Sequence, residues 1–409
     1  MTSSLSNPAF QGDSGVYRLV WEQEQVAIYA DHLIEDKHGI YAEVTVSTTR
    51  PGVPGHLAFA RFNLLAAAGR SDLMRTLKGR VEDVDWHGIL EQTSYLIVNK
   101  HREGEPVVSV GNTPEPETHD WALWPLIRQD EATIVHGQGG QGKSHLAVLV
   151  ALLVQSGVAW VDLIPKQVNV LYLDYEASSD EINHRAASFS RGLGIPPVEF
   201  KYRFAAQPLA KEIEEVRRKV LEEDIGLIIV DSLSMAVGGD LIDPKSVIPY
   251  FQALRLLKLP SLTIHHKNRD DQLYGSAYII NQARSVWSIK SAREEGSDLI
   301  TVGLFHEKVN NARKFLPIGI EFNFSEDNTG LQSISVGTGQ LLDFPETAQS
   351  LPLRERVRDY LSAGSMDIAE LATLLNMKVD SLRSYLNRDK EHYSFLPDDM
   401  VQVRVDVAM

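Results

Sequence analysis

The stretch Ala132-Thr133-Ile134-Val135-His136-Gly137-Gln138-Gly139-Gly140-Gln141-Gly142-Lys143-Ser144 decides how the rest of the chain reads. A short β-branched run enters a full G-x-x-x-x-G-K-[ST], and helical text from His145 to Gln155 follows. Glycines let such a loop turn its backbone N–H groups toward phosphate oxygens, and the helix N-terminus adds a favourable dipole. Residues Gly137, Gln138, Gly139, Gly140, Gln141, Gly142, Lys143, Ser144 and His145 are therefore expected at the phosphates of ATP. Lys143 is expected to reach the β- and γ-phosphates, and the Ser144 hydroxyl to ligate Mg²⁺.

Acids downstream fit the same site. Leu227-Ile228-Ile229-Val230-Asp231 is an apolar strand ending in a carboxylate, and Asp231 is expected to hold the metal through a water, opposite Ser144. Between loop and Asp231 lies Val170-Leu171-Tyr172-Leu173-Asp174-Tyr175-Glu176, which leaves Glu176 at a strand end. A carboxylate there can orient and deprotonate an attacking water, which makes Glu176 the expected base, with Asp174 as substitute. Either acid could instead cap the next helix, since Ser178 and Ser179 follow. The chemistry expected is hydrolysis of ATP with Mg²⁺.

Outward from the loop, strand text at Ala132–His136, Val168–Asp174, Leu227–Asp231 and Ser261–His265 alternates with helical text at 143–156, 178–193, 210–223 and 244–257. That alternation predicts an α/β fold, a mainly parallel sheet flanked by helices. Leu299–Phe305, Phe315–Phe322 and Leu331–Val336 lack intervening helices and predict antiparallel additions. Residues 1–112 mix strand text with helical text at 64–78 and 86–102 and are expected to form a small α+β accessory or assembly domain. Beyond a Pro- and Gly-punctuated linker, the ATPase core is expected over 113–345. Helical text at 353–362, 366–374 and 378–388 predicts a winged helix-turn-helix-like domain over 350–409.

The chain has 409 residues, 40 Lys+Arg against 55 Asp+Glu, a net charge of −15 and no cysteine. Absent thiols exclude disulfides, thiolate catalysis and cysteine-based zinc sites, and predict a soluble protein of the reducing cytoplasm. The longest aliphatic run, Leu146–Val154, is far short of a membrane span, and MTSSLSNPAF resembles no secretion signal. Asp31, His32 and His38 form no constellation that sequence spacing reveals.

The core resembles the RecA-like ATPases in three features. A strand ends in Asp-x-Glu after the loop, the acidic Walker B strand follows, and then comes Thr263-Ile264-His265-His266-Lys267. Gly275-Ser276-Ala277 and Ala283-Arg284-Ser285-Val286-Trp287 make it most similar to the RepA-type hexameric replicative helicases among phage and plasmid AAA-family ATPases. The resemblance covers about 121–340. It implies a polar sensor of the γ-phosphate at His265 or His266, and a homo-oligomeric ring, hexameric in that family. It also implies an inter-subunit cation, for which Lys308, Arg313 and Arg284 compete. Channel contacts to single-stranded DNA fall on Lys267, Asn268 and Arg269, in a segment (265–293) with five Lys/Arg against two acids. In the C-terminal domain Lys378, Arg383 and Arg388 are the candidate nucleic-acid contacts. The expected function is a DNA helicase of phage or plasmid replication, with replication partners reached through the N- or C-terminal domain and no membrane contact. A strand-exchange protein or a nucleotide-switched regulator would use the same core.

Overall fold

A computed structural model of the chain describes residues 5–404 apart from 14, 105–106, 108, 110, 112–120, 130, 161, 268–274, 276, 294–295, 311–312, 329, 342–347, 349–350 and 363. The period-2 text at the start builds an antiparallel sheet in sequence order: β1 (Ala9–Asp13), β2 (Val16–Trp21), β3 (Val26–Asp36), β4 (Gly39–Thr48) and β5 (His56–Asn63). Ile28, Ala30, Ala42, Val44 and Val46 face inward and are buried. Helices α1 (Ala67–Lys78) and α2 (Trp86–Glu103) close over that face through Leu73, Leu77, Trp86, Ile89 and Ile97. Asp85 caps α2 by accepting the Gly88 N–H at 3.0 Å. Strand β3 bulges between Asp31 and Ile34, where His32 takes φ 49°.

The ribbon β6 (Trp121–Trp124) and β7 (Ile127–Arg128) leads into β8 (Ala132–Gly137), the phosphate-loop strand. Next come α3 (Lys143–Ser156), β9 (Ile164–Pro165), β10 (Asn169–Asp174), α4 (Ser179–Leu193), β11 (Lys201–Phe204), α5 (Ile213–Glu222) and β12 (Ile225–Asp231). After them follow α6 (Leu233–Val237), α7 (Pro244–Leu257), β13 (Ser261–His266), α8 (Ala277–Gln282) and β14 (Ser285–Ala292). Three further strands, β15 (Leu299–Val309), β16 (Ile318–Asp327) and β17 (Gly330–Thr338), complete the sheet. Among the described residues its order is β11-β10-β12-β13-β8-β14-β15-β16-β17. Strands β11 to β14 run parallel and β15, β16 and β17 are added antiparallel.

Helices cover both faces. The run Leu146–Val154 is wholly buried as the body of α3, packed with α4 on one face. Residues of α6, α7 and α8, with Val216 of α5, pack on the other. Each buried Leu or Val contributes about 1.5–3 kcal/mol by leaving water, so this short apolar helix is a core element. Among the described residues no helix is long and apolar enough to cross a membrane.

After β12 the chain forms α6 with Leu233, Ala236 and Val237 buried, and α7 starts at Pro244 behind an Asp243 cap. Apolar spacing of i, i+3 and i+4 drives that first turn onto the sheet. The helix expected over 366–374 begins at Ile368, because Asp367 caps it by accepting the Ala369 and Glu370 N–H groups.

Helix α4 lies close against β17, and Gly192 is the reason it can. A Cβ built there would fall 2.0 Å from the Ile334 carbonyl oxygen, a backbone atom. Gly192→Ala gains helix propensity but must separate helix from strand, so it is expected to destabilise the fold by about 2 kcal/mol net. A urea midpoint lowered at unchanged slope checks this.

At the C-terminal end, α9 (Leu353–Tyr360), β18 (Met366–Asp367), α10 (Ile368–Leu374), α11 (Val379–Arg388), β19 (Tyr393–Phe395) and β20 (Met400–Val403) form a winged-helix-like unit. Asn376, at φ 54°, makes the turn between α10 and α11, and the small sheet has the order β18-β20-β19.

Candidate active site

Parallel strands β8, β10, β12 and β13 end on one edge of the sheet, and the candidate residues gather there. At the end of β8 the chain turns through Gly140 (φ 79°) and Gly142 (φ 80°), conformations open to glycine, and then enters α3 at Lys143. A Cβ at Gly139 or Gly140 would meet nothing within 4 Å, so the loop's outer rim is open. Gln141 braces the loop by accepting the Gln138 N–H at 2.8 Å. Lys143 is buried, and its Nζ donates to the carbonyls of Gly137 at 2.9 Å and Gln138 at 2.5 Å. Burial lowers its pKa to about 8, against the opposing pull of Asp231 and Glu176. The free N–H groups of the first turn of α3, the glycine rim and this ammonium suit a polyphosphate.

His145 has a different role from its neighbours. Its ring packs against Phe324 at 5.4 Å and against Phe189 and Phe322 at 6.3 Å, and burial drives its pKa down to about 4. The imidazole is thus neutral core, and only its backbone N–H is left for phosphate.

Asp231 ends β12 in register with Asp174 of β10. Its carboxylate accepts from the Tyr172 hydroxyl at 2.8 Å and is hydrogen-bonded to Ser144. Burial raises the Asp231 pKa while these two hydroxyls oppose the rise. A hydroxyl and a carboxylate brought together below the loop are hard oxygen donors of the type Mg²⁺ takes.

The two carboxylates left open by the sequence separate here. Asp174 Oδ1 accepts the backbone N–H groups of Glu176 (2.9 Å) and Ala177 (3.0 Å), and Oδ2 accepts from the Tyr202 hydroxyl at 3.2 Å. Asp174 is therefore a buried turn former. Glu176 is half-exposed, accepts a hydrogen bond from the Ser232 hydroxyl, and lies 3.7 Å from His266 Nε2. His266, burial working the other way, and Ser232 together hold its pKa below the usual carboxylate value.

The histidine pair separates too. Alternation along β13 turns His265 to the opposite face, in register with His136 and buried, which leaves His266 as the one beside Glu176. Spacing does not suggest the pair beneath the loop, in which His136 Nε2 meets Glu307 Oε2 at 2.9 Å. Burial opposes ionisation of Glu307, but the bonds from His136 and Ser288 prevail and bring its pKa to about 2. Tyr172 and Ser232 belong to no motif that announces them. Their positions, two residues before Asp174 and one after Asp231, are the only signals the sequence offers.

The competing cations do not belong to this edge. Ser285 of β14 pairs with Thr133 and with Val309, about 13 Å of strand away from Gly137. Lys308 donates its ammonium to the carbonyls of Ile280 (2.6 Å) and Ala283 (2.7 Å), so it is committed to holding α8. Arg284 is exposed at that far edge and lines a cavity of about 500 Å³ with Arg255 and Lys258. The Asn310 N–H bonds to the Arg284 carbonyl, and Arg313 follows, exposed. Among the nucleic-acid candidates, Lys267 continues β13 with its N–H on the Gly137 carbonyl at 3.0 Å, whereas Asn268 and Arg269 lie outside the described residues. Arg383 is paired with Asp399, Arg388 Nε donates to the Ser384 carbonyl at 3.2 Å, and Lys378 stands at the N-cap of α11.

A parallel sheet that inserts one strand between its phosphate-loop strand and its Walker B strand, with a glutamate delivered from the strand beyond, is the architecture of a RecA-like P-loop ATPase. The core has that order of strands. Residues 101–272 match the family model described as AAA domain, a span that includes the phosphate loop, Glu176, Asp231 and His266. A KaiC-like protein from the hyperthermophilic archaeon Pyrococcus horikoshii aligns structurally over 53% of this chain and 96% of its own, at 12% identity and a TM-score of 0.36. No protein of curated function matches the chain.

Proposed function

We propose that this protein is an Mg²⁺-dependent ATP hydrolase that works as a homo-oligomeric ring motor on single-stranded DNA, a helicase of the kind phage and plasmid replication uses. The observation that carries the reading is the contact between Glu176 and His266 at the end of β13. It links the carboxylate best placed for hydrolysis to the residue directly before Lys267, where the basic segment begins.

In this reading the loop N–H groups and Lys143 hold the phosphates, and Ser144 and Asp231 hold Mg²⁺. When bound, the metal supplies positive charge to the β- and γ-phosphate oxygens. Glu176, kept ionised by His266 and Ser232, orients the attacking water and takes its proton. His266 senses loss of phosphate through Glu176 and passes it to Lys267 and the residues after it. Arg313, exposed beyond the end of β15, acts in a neighbour's site, which makes assembly part of the chemistry.

Lys143 adds a pH dependence. In the nucleotide-free protein its ammonium loses its proton near pH 8, whereas phosphate oxygens beside it favour the charged form. Binding therefore takes up a proton above that pH, and ATP affinity is expected to fall by up to about tenfold per pH unit from pH 8 upward. Fluorescent-nucleotide titrations at pH 7, 8 and 9 check the slope.

The function is tested by ATP turnover with and without single-stranded DNA, alongside electron micrographs with ATP. A motor shows DNA-stimulated turnover and closed rings. Unstimulated turnover favours a nucleotide-switched regulator, and open helices favour a strand-exchange filament; either overturns the helicase reading.

A further inference from the structure

The bulge in β3 places side chains together that the sequence keeps apart. Asp31 and His32 meet Glu43 of β4, with one ligand atom from each within 4.8 Å of the others. Around His32 Nδ1 stand Asp31 Oδ1 at 3.2 Å, Glu43 Oε2 at 3.8 Å and, from α5 of the ATPase core, Glu214 Oε2 at 3.6 Å. Donor atoms of a four-coordinate zinc-type site, with bonds of about 2.0–2.1 Å, stand about 3.3 Å apart along each tetrahedral edge. The three separations straddle that value.

From this geometry we infer a binding site for a first-row divalent transition metal, of the Zn²⁺ class, on Asp31, His32 and Glu43, with Glu214 closing it from the ATPase core. Three features beyond the spacing support the assignment. The set mixes one imidazole nitrogen with carboxylates, which selects Zn²⁺-type ions over Mg²⁺ or Ca²⁺. The carboxylates crowd one ring while Arg218 answers only Asp31, through Oδ2 at 3.0 Å, leaving Oδ1 toward the site. Glu222, which also holds Arg218, is itself paired with Lys219. The ring is half-exposed, so an ion can enter from solvent.

The site pins two parts of the molecule. Its first three ligands belong to the N-terminal sheet, and Glu214 lies on α5, which two residues separate from the Walker B strand β12. Glu214 already accepts the His32 backbone N–H at 3.1 Å, and Arg218 stacks 5.2 Å from the Tyr29 ring centroid, so α5 is seated on the sheet at this point. The metal would convert that seat into a clamp.

The test uses the full chain, stripped with chelator and free of nucleotide, titrated with Co²⁺ as a spectroscopic substitute and with Zn²⁺ by calorimetry. One equivalent per chain with the visible bands of four-coordinate Co²⁺ is expected. His32→Gln and Glu43→Gln should each weaken binding by at least roughly 100-fold, as loss of a direct ligand exceeds the 10–100-fold cost of losing an outer-shell partner. Glu214→Gln should weaken it less and reduce, without removing, the rise in unfolding temperature that Zn²⁺ brings. His38→Gln, in the turn of the same β3–β4 hairpin but outside the ligand set, serves as control and should titrate as wild type. Absence of tetrahedral Co²⁺ bands, or wild-type affinity in a folded His32→Gln or Glu43→Gln protein, overturns the assignment. Neither result depends on ATP hydrolysis, so the proposed function stands or falls separately.

Discussion

Glu176→Gln is expected to bind ATP as wild type does and to lower turnover by roughly 10²–10⁴-fold. The substitution keeps the side chain's size and its bond from the Ser232 hydroxyl, but removes the charge that takes a proton. Wild-type turnover in this variant would refute Glu176 as base. Asp174→Asn then offers a contrast. Asp174 holds the Glu176 and Ala177 N–H groups and the Tyr202 hydroxyl, so its loss acts through the turn that carries Glu176. Its effect should emerge as reduced stability together with reduced turnover.

Arg313→Ala is expected to leave ATP binding unchanged and to cut turnover by about 10³-fold or more, the scale of an arginine supplied in trans. Its location makes a sharper test possible. A cation that completes a neighbour's site would make Glu176→Gln and Arg313→Ala chains damage different halves of one interface. Mixed in equal amounts and reassembled, the two inactive proteins should recover activity. With random placement about a quarter of the sites pair an intact glutamate with an intact arginine, as expected for a head-to-tail ring. No recovery on mixing, with assembly intact, would move the finger role to another residue.

Much of the core is legible in the amino-acid order. The helices expected at 143–156 and 244–257 are those observed, because a long apolar run needs a helix under a sheet, and Asp243-Pro244 is a strong start signal. The strand β11 and the ribbon of β6, β7 and β9 escape such a reading, since two to four residues carry too little periodicity to register. Finer choices within the site are illegible as well. Asp174 and Glu176 both look like bases in one dimension, and His265 and His266 both look like sensors. Which carboxylate turns inward to hold backbone N–H groups, and which imidazole lies on the loop's side of β13, follow from pleat and register.

Sequence alone determined the phosphate loop, the two acidic strand ends and the alternation of strand with helix, because each rests on neighbours within one turn or one strand. Tertiary structure alone decided the roles that depend on distant partners. Pairing β14 with β15 carried Lys308 and Arg284 to the edge opposite the loop, and strand register set His136 against Glu307. The docking of α5 brought Glu214, 182 residues away in the chain, to the backbone of His32. Local preferences act over a few residues, whereas a shared ligand or a buried pair exists only once packing has closed the long loops between its members.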